Sequence, residues 1–529
     1  MAVAPYDGGE ARGSSTLAAT IFNLANAIIG AGVLVLPFAM QSLGLPVGCA
    51  LICASAACSA LSCCVLYRCA RASGAYTYAA IGARLCGARF GVFVECCCCA
   101  YALGSCIGYL VIIEEELVKV AAYVRAHIAR PPARPGAELP GAPGAPWGGA
   151  WASRELLTAV VVLGGVLPLS SARSLHALRH TSLVALLCVG YVAALLALHV
   201  ALLPREGEQA GALALLPSFP APPPPPAPSP SLVAAAAAAG AAARRARGAL
   251  VRGAASNGGE RSWVEGWKAM PLLLFAFNCQ VPFLPLLREL ERPTWARVCA
   301  MLAATFALAL ALYLAVAILG ELSFGAGAVA PNVLDSFGEG DSAAAIARVA
   351  TVCVLVASFP LYAYAVRLGA TAMLAHDGGG EGDGGGDGDG DGALSAAAHW
   401  GATLAIVLGC AAVSLGCDSL ELPLGLTGAL AGTCVIFVVP AVCLAAVERR
   451  ALSGTPLSRR LANSPSVAER AAAVEADGPA SALLDGATAL SRRARMAAHA
   501  RLAFACAFGA CGVLVGVLGT VATLLPLMP

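Results

Sequence analysis

Charge is scarce in this sequence. Only 12% of its 529 residues are Asp, Glu, Lys or Arg, against about 25% in a soluble globular domain. So few polar side chains cannot cover the surface of a water-soluble fold. The net charge of +2 leaves no basic face for a nucleic-acid partner. There is no Ser/His/Asp or Cys/His set at usable spacing, no phosphate loop and no metal motif, which argues against an enzyme and against a bound cofactor or structural metal. A cleavable signal is also missing. The first apolar stretch, Leu17 to Met40, is longer than a signal core of about 7–15 residues, and no basic segment precedes it.

Cysteine, by contrast, is abundant, with 22 residues. Cys49, Cys53, Cys58, Cys63, Cys64 and Cys69 share one apolar stretch, and Cys96 to Cys99 run consecutively in another. Neither has the C-x-x-C pairs of a zinc site or the loop setting of a disulfide framework. Four adjacent cysteines on a helix point in four directions and cannot close on one metal, so they read as small apolar packing residues.

Apolar runs of about 20 residues, the length that crosses a bilayer, occur near 17–40, 45–67, 90–120, 155–172, 181–203, 267–287, 297–320, 345–372, 399–417, 422–446 and 500–526. They predict an all-α polytopic membrane protein of about eleven transmembrane helices, bathed in lipid. Arg68, Arg71, Arg84 and Arg89 lie between the second and third runs. Arg173 and Arg179 lie between the fourth and fifth, and Arg288, Arg292 and Arg297 between the sixth and seventh. Arg449, Arg450, Arg459 and Arg460 follow the tenth. An eleven-span chain with a cytoplasmic N-terminus puts all of these inside. The loop holding Glu321, Asp335, Glu339 and Asp341 then falls outside.

The expected organisation is a cytoplasmic tail over 1–16, spans one to five over 17–203, a Pro/Ala-rich outer loop over 204–265, spans six to ten over 266–447, a basic cytoplasmic linker over 448–498 and span eleven over 499–529. The Gly/Asp tract at 377–392 lacks the rest of an EF-hand loop and its closing Glu, so it reads as solvated linker.

The polar chemistry concentrates in two spans. In the first, Asn23, Asn26 and Gly30 share one helical face, and Gly30-Ala31-Gly32 weakens helix continuity beside them. An amide in the membrane must face protein, water or a ligand. In the sixth, Asn278-Cys279-Gln280 interrupts a hydrophobic run bracketed by Pro271, Pro282 and Pro285, and prolines at that density cannot sit in an unbroken helix. These two spans begin two successive groups of five. Interrupted spans at matching places in two halves are the sequence pointer to an inverted-repeat transporter site, where freed amides hold an anionic group and freed carbonyls a cation. In span eight, Ser358 and Tyr362 lie one turn apart. A serine hydroxyl suits sodium, although it also bonds readily to its own helix.

Phe22 to Leu34, reading FNLANAIIGAGVL, resembles the first-span signature of the amino acid/auxin permease superfamily, most closely its sodium-coupled neutral amino acid transporter branch. Phe275-Ala276-Phe277-Asn278-Cys279-Gln280 resembles the sixth span of that branch. Ser358-Phe359-Pro360 with Arg367 resembles the eighth, and Ser419-Leu420-Glu421 with Gly425, Gly428 and Pro440 the tenth. The resemblance runs in order over 15–526.

It implies a 5+5 inverted repeat of the leucine-transporter type plus one helix, working by alternating access on small neutral amino acids, with sodium as the co-transported ion. It further implies that Asn26, Ala27 and Ser358 serve the cation. Gly30, Ala31 and Gly32 would receive the substrate carboxylate, and Phe275 and Asn278 would line the rest of the pocket. No obligate protein partner is implied.

Several positions depart from the pattern. Gln280 stands where the branch often has histidine, Pro282 where it has glutamate, and Ala365 replaces a proline. The predicted outer loops carry no cysteine and the chain no N-glycosylation sequon. These departures leave open whether the ion is sodium or a proton, and whether the membrane is the plasma membrane or a vacuolar or lysosomal one. For a proton, Glu95 early in span three is the candidate carrier, whereas Glu114, Glu115 and Glu116 read as a solvated helix end. A non-transporting amino acid sensor is the reading from another class.

Overall fold

The computed structural model describes residues 15–30, 32–127, 154–171, 181–202, 263–325, 329–338, 340–377, 396–417, 419–452 and 480–525. Among them the chain is helical throughout and contains no strand, only an isolated bridge between Ser15 and Leu290.

The helices follow the apolar runs closely. They are α1 (Leu17–Ile28), α2 (Gly32–Leu43), α3 (Leu45–Ser73), a short α4 (Tyr78–Cys86), α5 (Ala88–His127), α6 (154–170), α7 (Thr181–Leu202), α8 (Trp263–Ala276), α9 (Gln280–Glu289), α10 (Trp295–Phe324), α11 (Ser342–Asp377), α12 (Ala396–Leu415), α13 (Glu421–Leu452) and α14 (Ala480–Leu524). Nine helical spans among the described residues are long and apolar enough to cross a membrane. The α1–α2 pair, bent by 57°, makes a tenth. α6, the run that sequence placed at 155–172, is shorter, and a π segment at Val162–Val166 divides it.

Local sequence accounts for the ends. Thr16 caps α1, its hydroxyl accepting from the Ala19 amide at 3.3 Å, and Thr294 caps α10 in the same way, accepting from Arg297. Gly74 closes α3 in the left-handed conformation, φ 67°. α14 begins at Ala480 and α13 reaches Leu452, so helix extends into both ends of the stretch read as linker. The strong helix formers Ala, Leu and Arg over 480–498 account for it. The proline/alanine loop over 204–262, most of the acidic glycine tract, Arg173 and Arg179 lie outside the described residues.

α5 and α11 form the most extensive helix pair. α2 packs between α8 and α10, and α14 lies along α13 and α8. The sixth span can approach the tenth because Gly428 has no side chain: a Cβ there would collide with the Pro271 carbonyl. The centre of the bundle is therefore built from the two interrupted spans, α1–α2 and α8–α9, held by α3, α5, α10 and α13.

Candidate functional site

Both interruptions fall where the sequence places them. α1 stops at Ile28, and Ile29 leaves helical geometry with ψ 89° before α2 starts at Gly32. In the sixth span, Phe277, Asn278 and Cys279 separate α8 from α9, with Cys279 at φ −136°, ψ 11°. Pro282 falls in the first turn of α9, where proline is tolerated because its missing N–H is unpaired anyway. The two breaks touch. A Cβ on Gly32 would stand 2.6 Å from Ala276 Cα, so only glycine lets them meet at this distance.

The carbonyls released by the sixth-span break are capped from three different helices. Tyr101 of α5 donates to Phe275 O at 3.3 Å, Tyr313 of α10 reaches Ala276 O at 3.1 Å, and Ser59 of α3 donates to Phe277 O at 2.6 Å. Gln280 supports this arrangement: its amide donates to Ser59 Oγ at 2.9 Å and its oxygen accepts from the Cys279 amide at 3.0 Å. Backbone freed inside a membrane is tolerated only when its polar groups find such partners.

One polar side chain in the break has none. The oxygen and the nitrogen of the Asn278 amide are both buried without a hydrogen-bond partner, although the residue is only 4% exposed. Such a group is costly and rare in finished structures.

Asn278 lines a small pocket where the two interrupted spans meet. Ala27, Ile28, Gly30 and Gly32 form one wall and Phe275, Ala276 and Asn278 another, while Tyr101, Tyr109 and Tyr362 close the rest. The aromatic rings brace each other: Tyr109 meets Tyr362 edge-on at 5.4 Å, and Tyr101 lies 5.7 Å from Phe275. At the first-span break the N-terminal end of α2, the positive end of its helix dipole, reaches the pocket at Gly32.

Of the residues singled out by sequence, Ala27, Gly30, Gly32, Phe275 and Asn278 come together as pocket lining. Ala31 lies outside the described residues. Asn26 and Ser358 do not line the pocket. Asn26 Oδ1 is buried without a partner, and Ser358 is half-buried on α11. Glu95 is also away from the pocket. It is part-buried on α5 against α11, where a Cβ on Gly369 would meet its carboxylate.

The sequence reading did not select Tyr101, Tyr109, Tyr313 or Ser59. A faint signal existed for the first two: eight residues apart on one helix, they share a face.

The glutamate triplet corrects the reading of a solvated helix end. Glu114 and Glu116 are fully buried. Glu114 accepts from Ser414 Oγ at 2.7 Å and pairs with Arg154 at 2.8 Å. Glu116 binds Asn332 at 2.5 Å and lies 3.3 Å from Arg348, itself 1% exposed. Consecutive helix positions point about 100° apart, so the triplet joins α5 to α6 and α12 on one side and to α11 and the α10–α11 connection on the other. That connection is a folded cap over the bundle, with a 3₁₀ turn at Val333–Ser336 and both Gln41 amide atoms bonded to Val329 at 2.6 and 3.1 Å. At the other end of α13, buried Glu448 holds Arg68 of α3 at 3.1 Å and Arg501 of α14 at 2.6 Å.

An all-helical membrane bundle whose two discontinuous spans meet around a small polar-edged pocket has the form of a carrier. The chain belongs to the transmembrane amino acid transporter protein family, whose model matches residues 13–219 and 257–454. Among curated proteins it is similar to sodium-coupled neutral amino acid transporter 7 of Bos taurus, 27% identical over 358 residues, which are 67% of this chain and 64% of that protein. The Homo sapiens protein of the same name is 26% identical over the same shares. Sodium-coupled neutral amino acid symporter 2 of Danio rerio is 27% identical over 186 residues, 35% of this chain and 33% of that protein. The chain thus spans about 64% of the length of the first two relatives.

Proposed function

We propose that this protein is a secondary active carrier of small neutral amino acids, coupled to a cation and working by alternating access. The observation that carries the reading is the unpartnered Asn278 amide facing a small pocket at the junction of two broken spans. A zwitterion matches that pocket at both ends. Its carboxylate suits the positive end of α2, which reaches the pocket at Gly32. The Asn278 amide, donor and acceptor at once, is left for the ammonium or the side chain. The wall of Tyr101, Tyr109, Tyr362 and Phe275 limits the length of that side chain.

Sodium is the favoured ion. The relatives are named as sodium-coupled proteins, and Asn26 Oδ1 is a buried hard oxygen without a protein partner. Asn26, Ala27 and Ser358 are the residues assigned to it. A proton is the alternative, on the observation that Glu95 is a carboxyl part-buried between two membrane helices.

The test is uptake of a radiolabelled neutral amino acid panel into proteoliposomes under an imposed sodium or proton gradient. Accumulation with sodium supports the assignment. Accumulation only with a pH gradient keeps the carrier and moves the coupling to Glu95. Saturable binding without accumulation under either gradient replaces the carrier with a sensor.

A further inference from the structure

The two breaks are joined by one atom. Tyr313, fully buried on α10, places its hydroxyl 2.6 Å from Ile28 O, at the last residue of α1, and 3.1 Å from Ala276 O, at the last residue of α8. Ile28 and Ala276 both line the pocket, whereas Tyr313 does not. It stands behind the lining, with its ring packed edge-on against Phe277 at 4.9 Å.

Carbonyls released at interrupted spans are the groups that coordinate a cation or collapse onto another donor. Here two of them, one from each interruption, converge on a neutral hydroxyl with a single proton. That proton serves either carbonyl, and a break that moves away from the hydroxyl leaves its own carbonyl without this donor. We propose that Tyr313 is a positioning residue for transport: by tying Ile28 to Ala276 from behind the pocket, it holds the two halves of the binding site in register. The inference rests on the carrier reading above. It adds a residue that touches neither substrate nor ion yet sets the affinity for substrate.

The experiment compares full-length wild type, Tyr313→Phe and Tyr67→Phe in proteoliposomes, each normalised to the amount of protein inserted. Tyr313→Phe keeps the ring among Phe277 and its neighbours and removes only the tie. Tyr67→Phe is the control, because Tyr67 donates to the Pro293 carbonyl at 2.7 Å, a bond of the same kind away from the pocket. The expected result is a KM for the amino acid raised about tenfold or more in Tyr313→Phe, with the saturating rate reduced less, while Tyr67→Phe keeps the wild-type KM. A KM within twofold of wild type in Tyr313→Phe overturns the inference, whatever happens to its rate or to the inserted amount. An equal rise in Tyr67→Phe overturns it too, since any lost hydroxyl would then have the same effect. A wild type that takes up no amino acid removes the carrier reading, and this inference falls with it. A wild type that transports, beside a Tyr313→Phe variant of unchanged KM, removes the inference alone.

Discussion

Gly32 and Ala276 belong to different halves of the chain, yet a Cβ on Gly32 would lie 2.6 Å from Ala276 Cα. Two real carbon atoms cannot approach so closely when one is backbone. Gly32→Ala therefore forces the first- and sixth-span breaks apart at the pocket they enclose. The expected outcome is uptake lowered at least tenfold with the amount of inserted protein unchanged, measured in proteoliposomes. A bulky side chain at Gly30 should act similarly, since even a Cβ there would lie 3.0 Å from the Tyr109 hydroxyl. Normal uptake by Gly32→Ala would show that the breaks need not touch for transport.

The cation assignment makes a separate prediction. Asn26→Ala and Ser358→Ala should each raise the sodium concentration needed for half-maximal uptake, with a smaller effect on the rate at saturating sodium. Neither residue lines the pocket, so the substrate preference should not change. If both variants keep wild-type sodium and pH dependence, the cation binds elsewhere.

A third prediction concerns Glu95, which stands against Gly369 and Cys99 and away from the pocket. Glu95→Gln keeps the shape of the side chain and removes its proton chemistry. Under sodium coupling it should leave sodium-driven uptake near wild type. Loss of sodium-driven accumulation in a folded Glu95→Gln protein would make the proton part of the cycle.

Stability depends on a different set of residues. Glu116 and Arg348 are both at most 1% exposed, and they face each other at 3.3 Å. Removing one member of a buried pair strands the other charge and costs about 3–5 kcal/mol. Arg348 also donates to the carbonyls of Leu334 and Phe337 at 2.9 and 3.2 Å, so the α10–α11 cap should loosen as well. Glu116→Ala should unfold at clearly lower temperature in detergent. An unchanged unfolding temperature would show that the pair contributes little.

The contrast between Glu116 and Gly32 shows what sequence alone could reveal. The spans were legible because a bilayer demands long apolar runs, and the interruptions because Gly-Ala-Gly and Asn-Cys-Gln are costly inside such a run. The glutamate triplet was not, because the partners that let it be buried come from afar: Arg154, Asn332, Arg348 and Ser414 are all on other segments. Without them, three adjacent carboxylates read as a wet helix end. Tyr313 was hidden for a similar reason. A tyrosine in an apolar span reads as ordinary core, and only the fold puts its hydroxyl between two carbonyls. The linker over 448–498 had helix at both ends because its alanines and leucines favour helix even where its charge suggested solvent.

If the amino acid is carried in the pocket at the two breaks, Asn278 is the side chain whose loss it should feel first. Its amide has no protein partner, so Asn278→Ala removes no bond that holds the fold together, and thermal stability should stay the same or rise. The measurement is the KM for sodium-driven uptake of a small neutral amino acid by wild type and Asn278→Ala in proteoliposomes. The expected result is a KM raised about tenfold, the equivalent of about 1.4 kcal/mol of lost binding, in a protein as stable as wild type. A variant of unchanged KM would mean that the substrate does not bind at this pocket.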